Sequence, residues 1–148
     1  MRCFTVRNRI RIDYGFFYLA AILLLMLPLR WVAAGFLAAI FHELGHFTAV
    51  RFLGGRVFDM DISFCGAKMH ASVLPPREQL LCLLAGPAAS LLLILTWRFF
   101  PRLAICGFLQ GIYNLIPFRS MDGAQILGCL RLLLQKRKEK FLAKRADR

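Results

Sequence analysis

Residues 42–46 read His42-Glu43-Leu44-Gly45-His46. On a helix the two histidines stand one turn apart and project from the same face. Two imidazole nitrogens held that way fit adjacent vertices of a zinc tetrahedron. Glu43 lies beside them, where it can take a proton from an attacking water and later deliver it to a leaving amine. This is the HExxH pattern, whose chemistry is metal-assisted peptide hydrolysis. Such a centre needs a third protein ligand and one open position. His70 falls in a hairpin, Glu78 opens an apolar run where headgroups lie, and Asp59 and Asp61 occupy the polar face of a strand. Asp122 is the better candidate, because it follows the last apolar run on the side where His42 and His46 lie. Its competing role is a helix cap beside Gly123.

The elements that must position these residues are set by composition. Of 148 residues, 59% are apolar and 19% charged, and the mean hydropathy is +0.59. A soluble domain carries about 45–50% apolar and about 25% charged residues. A soluble core of this size cannot absorb the excess, so lipid is part of the solvent. Disorder and a coiled coil are excluded by the same balance. Four runs are uncharged or nearly so: Tyr14–Leu29, Trp31–Val50, Gln79–Trp97 and Leu103–Phe118. A span needs about 20 residues, so the first and fourth are slightly short. Pro28-Leu29-Arg30 and Phe100-Pro101-Arg102 make tight turns between antiparallel neighbours.

The net charge is +12, from 20 Lys and Arg against 8 Asp and Glu. Threaded through four spans, every basic residue except Arg30, Arg98 and Arg102 falls on one side. That asymmetry is the positive-inside pattern of a cytoplasmic face, not a nucleic-acid footprint. Both termini are then cytoplasmic, and the pattern suits a multi-pass protein of a bacterial plasma membrane. The HELGH run sits inside the second span. A charged side chain at a span's centre costs about 2.5–3.5 kcal/mol on insertion scales. Three ionisable residues within five positions there argue for function. The run ends at Val50, so cytosolic water reaches the motif at shallow depth.

Outside the spans, residues 4–12 alternate: Phe4, Val6, Ile10 and Ile12 face one way, Thr5, Arg7, Arg9 and Arg11 the other. Period two predicts a strand, and no small-residue cleavage site marks the segment for removal. Phe58, Met60, Ile62 and Phe64 alternate with Asp59, Asp61, Ser63 and Cys65, Gly66 turns the chain, and Met69, Ala71 and Val73 continue the apolar face. A β-hairpin on the cytoplasmic side is predicted, with Arg7, Arg9 and Arg11 in reach of Asp59 and Asp61 if the first strand joins it. Its edge near residues 57–64 could hold an unwound substrate strand. Residues 124–135 predict a helix, and 136–148 a basic tail suited to anionic lipid. Cys3, Cys65, Cys82, Cys106 and Cys129 show no paired spacing, so neither a disulfide framework nor a cysteine zinc site is expected.

Asn114-Leu115-Ile116-Pro117, then four residues, then Asp122-Gly123 reads N-x-x-P-x-x-x-x-D-G. With HELGH in an earlier span, the chain resembles the site-2 protease (peptidase M50) family of intramembrane zinc metalloproteases over roughly residues 10 to 130. The small bacterial members of the stage IV sporulation protein FB type are the nearest in look. The resemblance implies that His42, His46 and Asp122 bind one zinc ion, that Glu43 is the catalytic glutamate, and that Asn114 helps hold substrate or the reacting carbonyl. It also implies a break in the fourth core helix near Pro117, where irregular backbone is tolerated if it lines a cavity. Many members carry Gly-Pro-x-x-Asn in the third core span; here Gly86-Pro87-Ala88-Ala89-Ser90 ends in Ser. These small residues make a face for close helix packing. No nucleotide-sensing domains or PDZ module are recognisable, so regulation by ATP or by peptide-tail binding is not expected.

The expectation is an all-α polytopic membrane protein of about four transmembrane helices with a small cytoplasmic-side β-hairpin or sheet. Residues 1–135 make a single membrane-embedded metalloprotease domain. Its function is a zinc metalloendopeptidase that cleaves a transmembrane or membrane-associated protein near the cytoplasmic face. Partners are that substrate, the bilayer and a regulatory membrane protein; nucleic acid is not among them. The alternative class is a zinc-binding membrane protein without catalysis, either an inactive scaffold or a metal transporter. A transporter needs ligands at several depths, whereas all candidates here cluster at one level. A third class, a basic membrane protein acting through its tail, is separated by deleting residues 136–148.

Overall fold

The computed structural model describes residues 3–6, 10–63, 66–118 and 121–146. In chain order the elements are β1 (Cys3–Val6), β2 (Ile10–Asp13), α1 (Tyr14–Met26), α2 (Leu29–Phe52), β3 (Val57–Ser63), β4 (Gly66–Ala71), α3 (Pro76–Leu92), a 3-10 turn (Leu93–Thr96), α4 (Pro101–Leu115) and α5 (Asp122–Ala146). Each apolar run yields a helix, and prolines punctuate them. Pro28 precedes α2, and Pro76 and Pro101 open α3 and α4, where a missing N–H costs nothing. Two stretches, Leu29–Phe52 and Pro76–Thr96, are long and apolar enough to cross a membrane. With 13 and 15 residues, α1 and α4 are shorter.

The centre of the molecule is α2 packed on α3, with α4 against both. Lipid supplies no hydrophobic drive between helices, so close backbone approach through small residues has to hold them. Gly45 of α2 faces α3 so closely that a Cβ there would lie 2.5 Å from the Ala85 carbonyl oxygen. Gly107 and Gly111 do the same for α4, against Leu93 and Leu91 respectively. Ala38 and Ala104 are fully buried in this seam. Large apolar side chains point outward instead, as with Tyr18, Leu25, Leu95 and Leu109. Peripheral α1 has no buried residue; Phe16 fixes it to α2 by an edge-to-face contact with Phe36, centroids 5.7 Å apart.

The strands form one four-stranded sheet in the order β1-β2-β3-β4. Two expectations change here. The alternating segment 4–12 is two strands rather than one: β1 folds back on β2 antiparallel, with Phe4 opposite Ile12 and Thr5 opposite Arg11. Period two is preserved across a fold-back of this register, so alternation alone cannot separate one strand from two. Second, β3 is not an edge. It pairs with β4 on one side and, at Met60–Ile62, parallel to β2 on the other, which sets Arg11 opposite Asp61. The edge strands are β1 and β4. Arg7 and Arg9, the other arginines expected near these aspartates, lie outside the described residues, as do Phe64 and Cys65.

After Leu115 the chain leaves the helix at extended Ile116, just before Pro117, which bars the preceding residue from helical geometry. Then α5 begins at Asp122 and runs 25 residues, well beyond the expected 124–135. No Gly or Pro interrupts 129–146, and Leu, Lys, Arg, Glu and Ala are strong helix formers, so the basic segment continues the helix. Cys129 Sγ donates to the Pro76 carbonyl at 2.9 Å, fastening α5 to the start of α3.

Candidate metal centre

His42 and His46 come one turn apart on α2, and α3 runs antiparallel beside them. Moving along α2 from 42 to 46 therefore moves back along α3 from 90 to 82. His42 is 3% exposed and its Nδ1 lies 2.9 Å from Ser90 Oγ. His46 Nδ1 donates to the Cys82 carbonyl at 2.8 Å. Between these contacts sits Gly86, whose absent side chain makes the room: any Cβ would run into the His46 imidazole ring. The spacing of Gly86 and Ser90 on α3 repeats that of His46 and His42 on α2.

Asp122, the first residue of α5, enters from the far side. Its Oδ2 is 2.9 Å from His42 Nε2 and 3.2 Å from His46 Nε2, and the two Nε2 atoms are 3.2 Å apart. Gly123 lets α5 start so close, because a Cβ there would strike the carbonyl oxygens of Leu115 and Ile116. Burial pushes the Asp122 carboxyl up, but hydrogen bonds to His42 and His46, and their charge, hold it down at about 2. It is therefore a carboxylate.

Three ligand atoms of this kind suit one divalent ion. With ligand bonds of about 2.0–2.1 Å, a tetrahedron has edges of about 3.3–3.4 Å. The observed triangle, with edges of 2.9, 3.2 and 3.2 Å, is only slightly tighter. Two imidazoles and a carboxylate match zinc better than magnesium or calcium, which prefer oxygen. The outer nitrogens are also held, as histidine ligands require.

Of the other expected residues, Asn114 is at the site, its Nδ2 3.4 Å from His42 Nε2. Glu43 is half-buried and within electrostatic reach of His46, His42 and Asp122. His70 is elsewhere: it sits exposed on β4 and pairs with Asp61, Nε2 to Oδ2, at 3.0 Å. Among the described residues, His42, His46 and Asp122 are the one cluster of three that could hold a metal.

The fold matches a solved structure. The chain superposes on the Site-2 Protease from Methanocaldococcus jannaschii with a TM-score of 0.68 at 23% identity, covering 92% of this chain and 72% of that one. The fold is that of a site-2 protease. No family model matches the sequence, and no curated protein does. Within the site-2 protease fold, sequence reasoning missed Ser90, the Cys82 carbonyl and Gly86 as supports of the histidines. Gly86 and Ser90 read as packing residues. Their i, i+4 spacing beside a span that carries an i, i+4 histidine pair was the signal that could have found them.

Proposed function

We propose that this chain is an intramembrane zinc metalloendopeptidase of the site-2 protease family, cleaving a transmembrane or membrane-associated protein near the cytoplasmic face. The observation that carries this reading is the convergence of His42, His46 and Asp122, from two helices 76 residues apart at the closest, on a tetrahedron-sized triangle beside Glu43. The two motifs also favour the small stage IV sporulation protein FB type. Four spans, with both termini in the cytoplasm of a bacterial cell, fit the helix order and the one-sided placement of Lys and Arg.

His42, His46 and Asp122 would hold one zinc ion. When bound, zinc supplies Lewis acidity toward the scissile carbonyl and makes water at the site more acidic. Glu43 takes the proton of the attacking water on its carboxylate and hands it to the leaving amine. The Asn114 amide, beside His42, can donate to a substrate carbonyl and hold it in place. A substrate helix hides its peptide bonds in its own hydrogen bonds, so it must unwind first. The chain leaves helical geometry at Ile116 and Pro117, between α4 and Asp122, and this irregular backbone near the ligands is where an extended substrate strand would lie.

The test is zinc content in purified full-length protein. About one zinc per chain is expected in wild type and in Glu43→Gln, with loss in Asp122→Ala. A folded wild-type protein without zinc overturns the reading. A Glu43→Gln protein that keeps both zinc and its cellular role makes the chain a zinc-binding scaffold instead.

A further inference from the structure

Arg30 and Arg102 stand apart from the other charges of the chain. With Pro28, Leu29 and Trp31 they line one open cleft of about 510 Å³, where α2 and α4 begin. The two helices run parallel and in register. The offset of 72 positions that brings Asn114 to His42 at one end also brings Arg102 to the cleft of Arg30 at the other. Two guanidiniums are thus set at the same height on neighbouring helices, where they repel each other.

Nothing in the chain neutralises them. Residues 14–42 and 79–121 contain no Asp or Glu. Along α2 the first carboxylate after Arg30 is that of Glu43, about 20 Å farther down at 1.5 Å per residue. Among the described residues, every ion pair lies elsewhere. In the four-span reading this end faces away from the cytoplasm, where the positive-inside bias disfavours arginine. The counter-charge must come from outside the protein.

The walls of the cleft indicate its source. Both tryptophans of the chain, Trp31 and Trp97, belong to this end, and tryptophan collects at the headgroup level of a bilayer. Leu29, on the rim, is 69% exposed, which suits an acyl chain and not water. We propose that the Arg30–Arg102 cleft binds the phosphate of an anionic phospholipid in the leaflet away from the metal centre. Arginine donates to phosphate through a planar fork of N–H groups, so one phosphate between the two side chains replaces their repulsion with attraction to a shared anion. It ties α2, which carries the histidines, to α4, which carries Asn114. A choline headgroup brings its own cation into the cleft and is disfavoured. The proposal rests on the four-span reading, not on zinc.

The experiment uses the full chain with Trp97→Phe, which leaves Trp31 as its single tryptophan. It is reconstituted in phosphatidylcholine vesicles that contain an equal fraction of either phosphatidylcholine or phosphatidylglycerol brominated near the headgroup, and quenching of Trp31 is read. A basic residue near a membrane surface gives roughly a fivefold preference for anionic lipid, so the pair is expected to give about 5- to 30-fold. Arg102→Gln should lose roughly fivefold of it, and Arg30→Gln with Arg102→Gln should lose it all. Lys136→Gln with Arg137→Gln, on the basic stretch of α5, should keep it. Equal quenching by the two lipids overturns the proposal, and so does a preference that survives in the double arginine variant. Inorganic phosphate that abolishes the preference, where sodium chloride of equal ionic strength does not, makes this a site for soluble phosphate and overturns the lipid assignment. A Trp31 quenched by neither lipid puts the start of α2 outside the bilayer and overturns the four-span reading instead.

Discussion

Adding one methyl group at Gly86 tests the centre without touching a ligand. A Cβ at this position would overlap the His46 Nε2, Cε1 and Cδ2 atoms, whereas carbon contacts settle at about 3.5–4.0 Å. The ring must retreat by roughly an ångström, or α3 must back away from α2. Metal-ligand distances tolerate only about 0.2 Å, so either response takes Nε2 out of bonding range or breaks the 2.8 Å hydrogen bond from His46 Nδ1 to the Cys82 carbonyl. Gly86→Ala is therefore expected to weaken zinc binding by at least the 10–100-fold that a lost supporting partner costs. Overpacking a seam adds about 1–3 kcal/mol of destabilisation. Chelator competition reads the first quantity and thermal unfolding in detergent the second. Gly35→Ala and Gly128→Ala are the controls, since a Cβ at either meets nothing within 4 Å. They should leave zinc affinity unchanged and stabilise their helices by about 0.5–1 kcal/mol. If Gly86→Ala binds zinc within threefold of wild type, the stacking of His46 on α3 is not what positions that ligand.

Asp122→Asn preserves shape and removes the carboxylate, so zinc affinity should fall by more than the 10–100-fold cost of a supporting contact, as chelator competition would show. Glu43→Gln should keep wild-type zinc content and lose at least about a hundredfold in cleavage rate, measured on a reconstituted membrane substrate. His70→Gln breaks an exposed pair with Asp61; zinc content should not change, and stability should move by less than about 1 kcal/mol in thermal unfolding. Gly111→Leu forces a branched side chain against Leu91 and the Pro87 carbonyl, and should lower the unfolding temperature far more than any ligand substitution.

Much of the centre could be read before any coordinates, because a helix turns spacing into direction: residues 42 and 46 must share a face. Asp122 was legible for a coarser reason, its depth relative to the apolar runs. Ser90 and Gly86 were not. Their role depends on how α3 crosses α2, and close packing of small residues accounts for the same letters. The sheet shows a similar limit. Alternation reports which way side chains point, and it survives when Cys3–Val6 pairs back on Ile10–Asp13, so strand number and the interior position of β3 in the sheet emerge only from pairing. The extent of α5 was underestimated because charge was read as a sign of solvated tail, while the same lysines and arginines favour helix.

Because the third ligand opens α5, the histidine pair exists in the chain long before the centre can. During synthesis the ribosome must make some 76 further residues after His46, including the whole sheet hairpin, α3 and α4, before Asp122 emerges. Even then the carboxylate arrives only when α5 docks against Pro76 and the end of α4. A growing chain in the membrane therefore carries two histidines and a glutamate but no complete site. The three ligand atoms can therefore meet only after the helical core around them has closed.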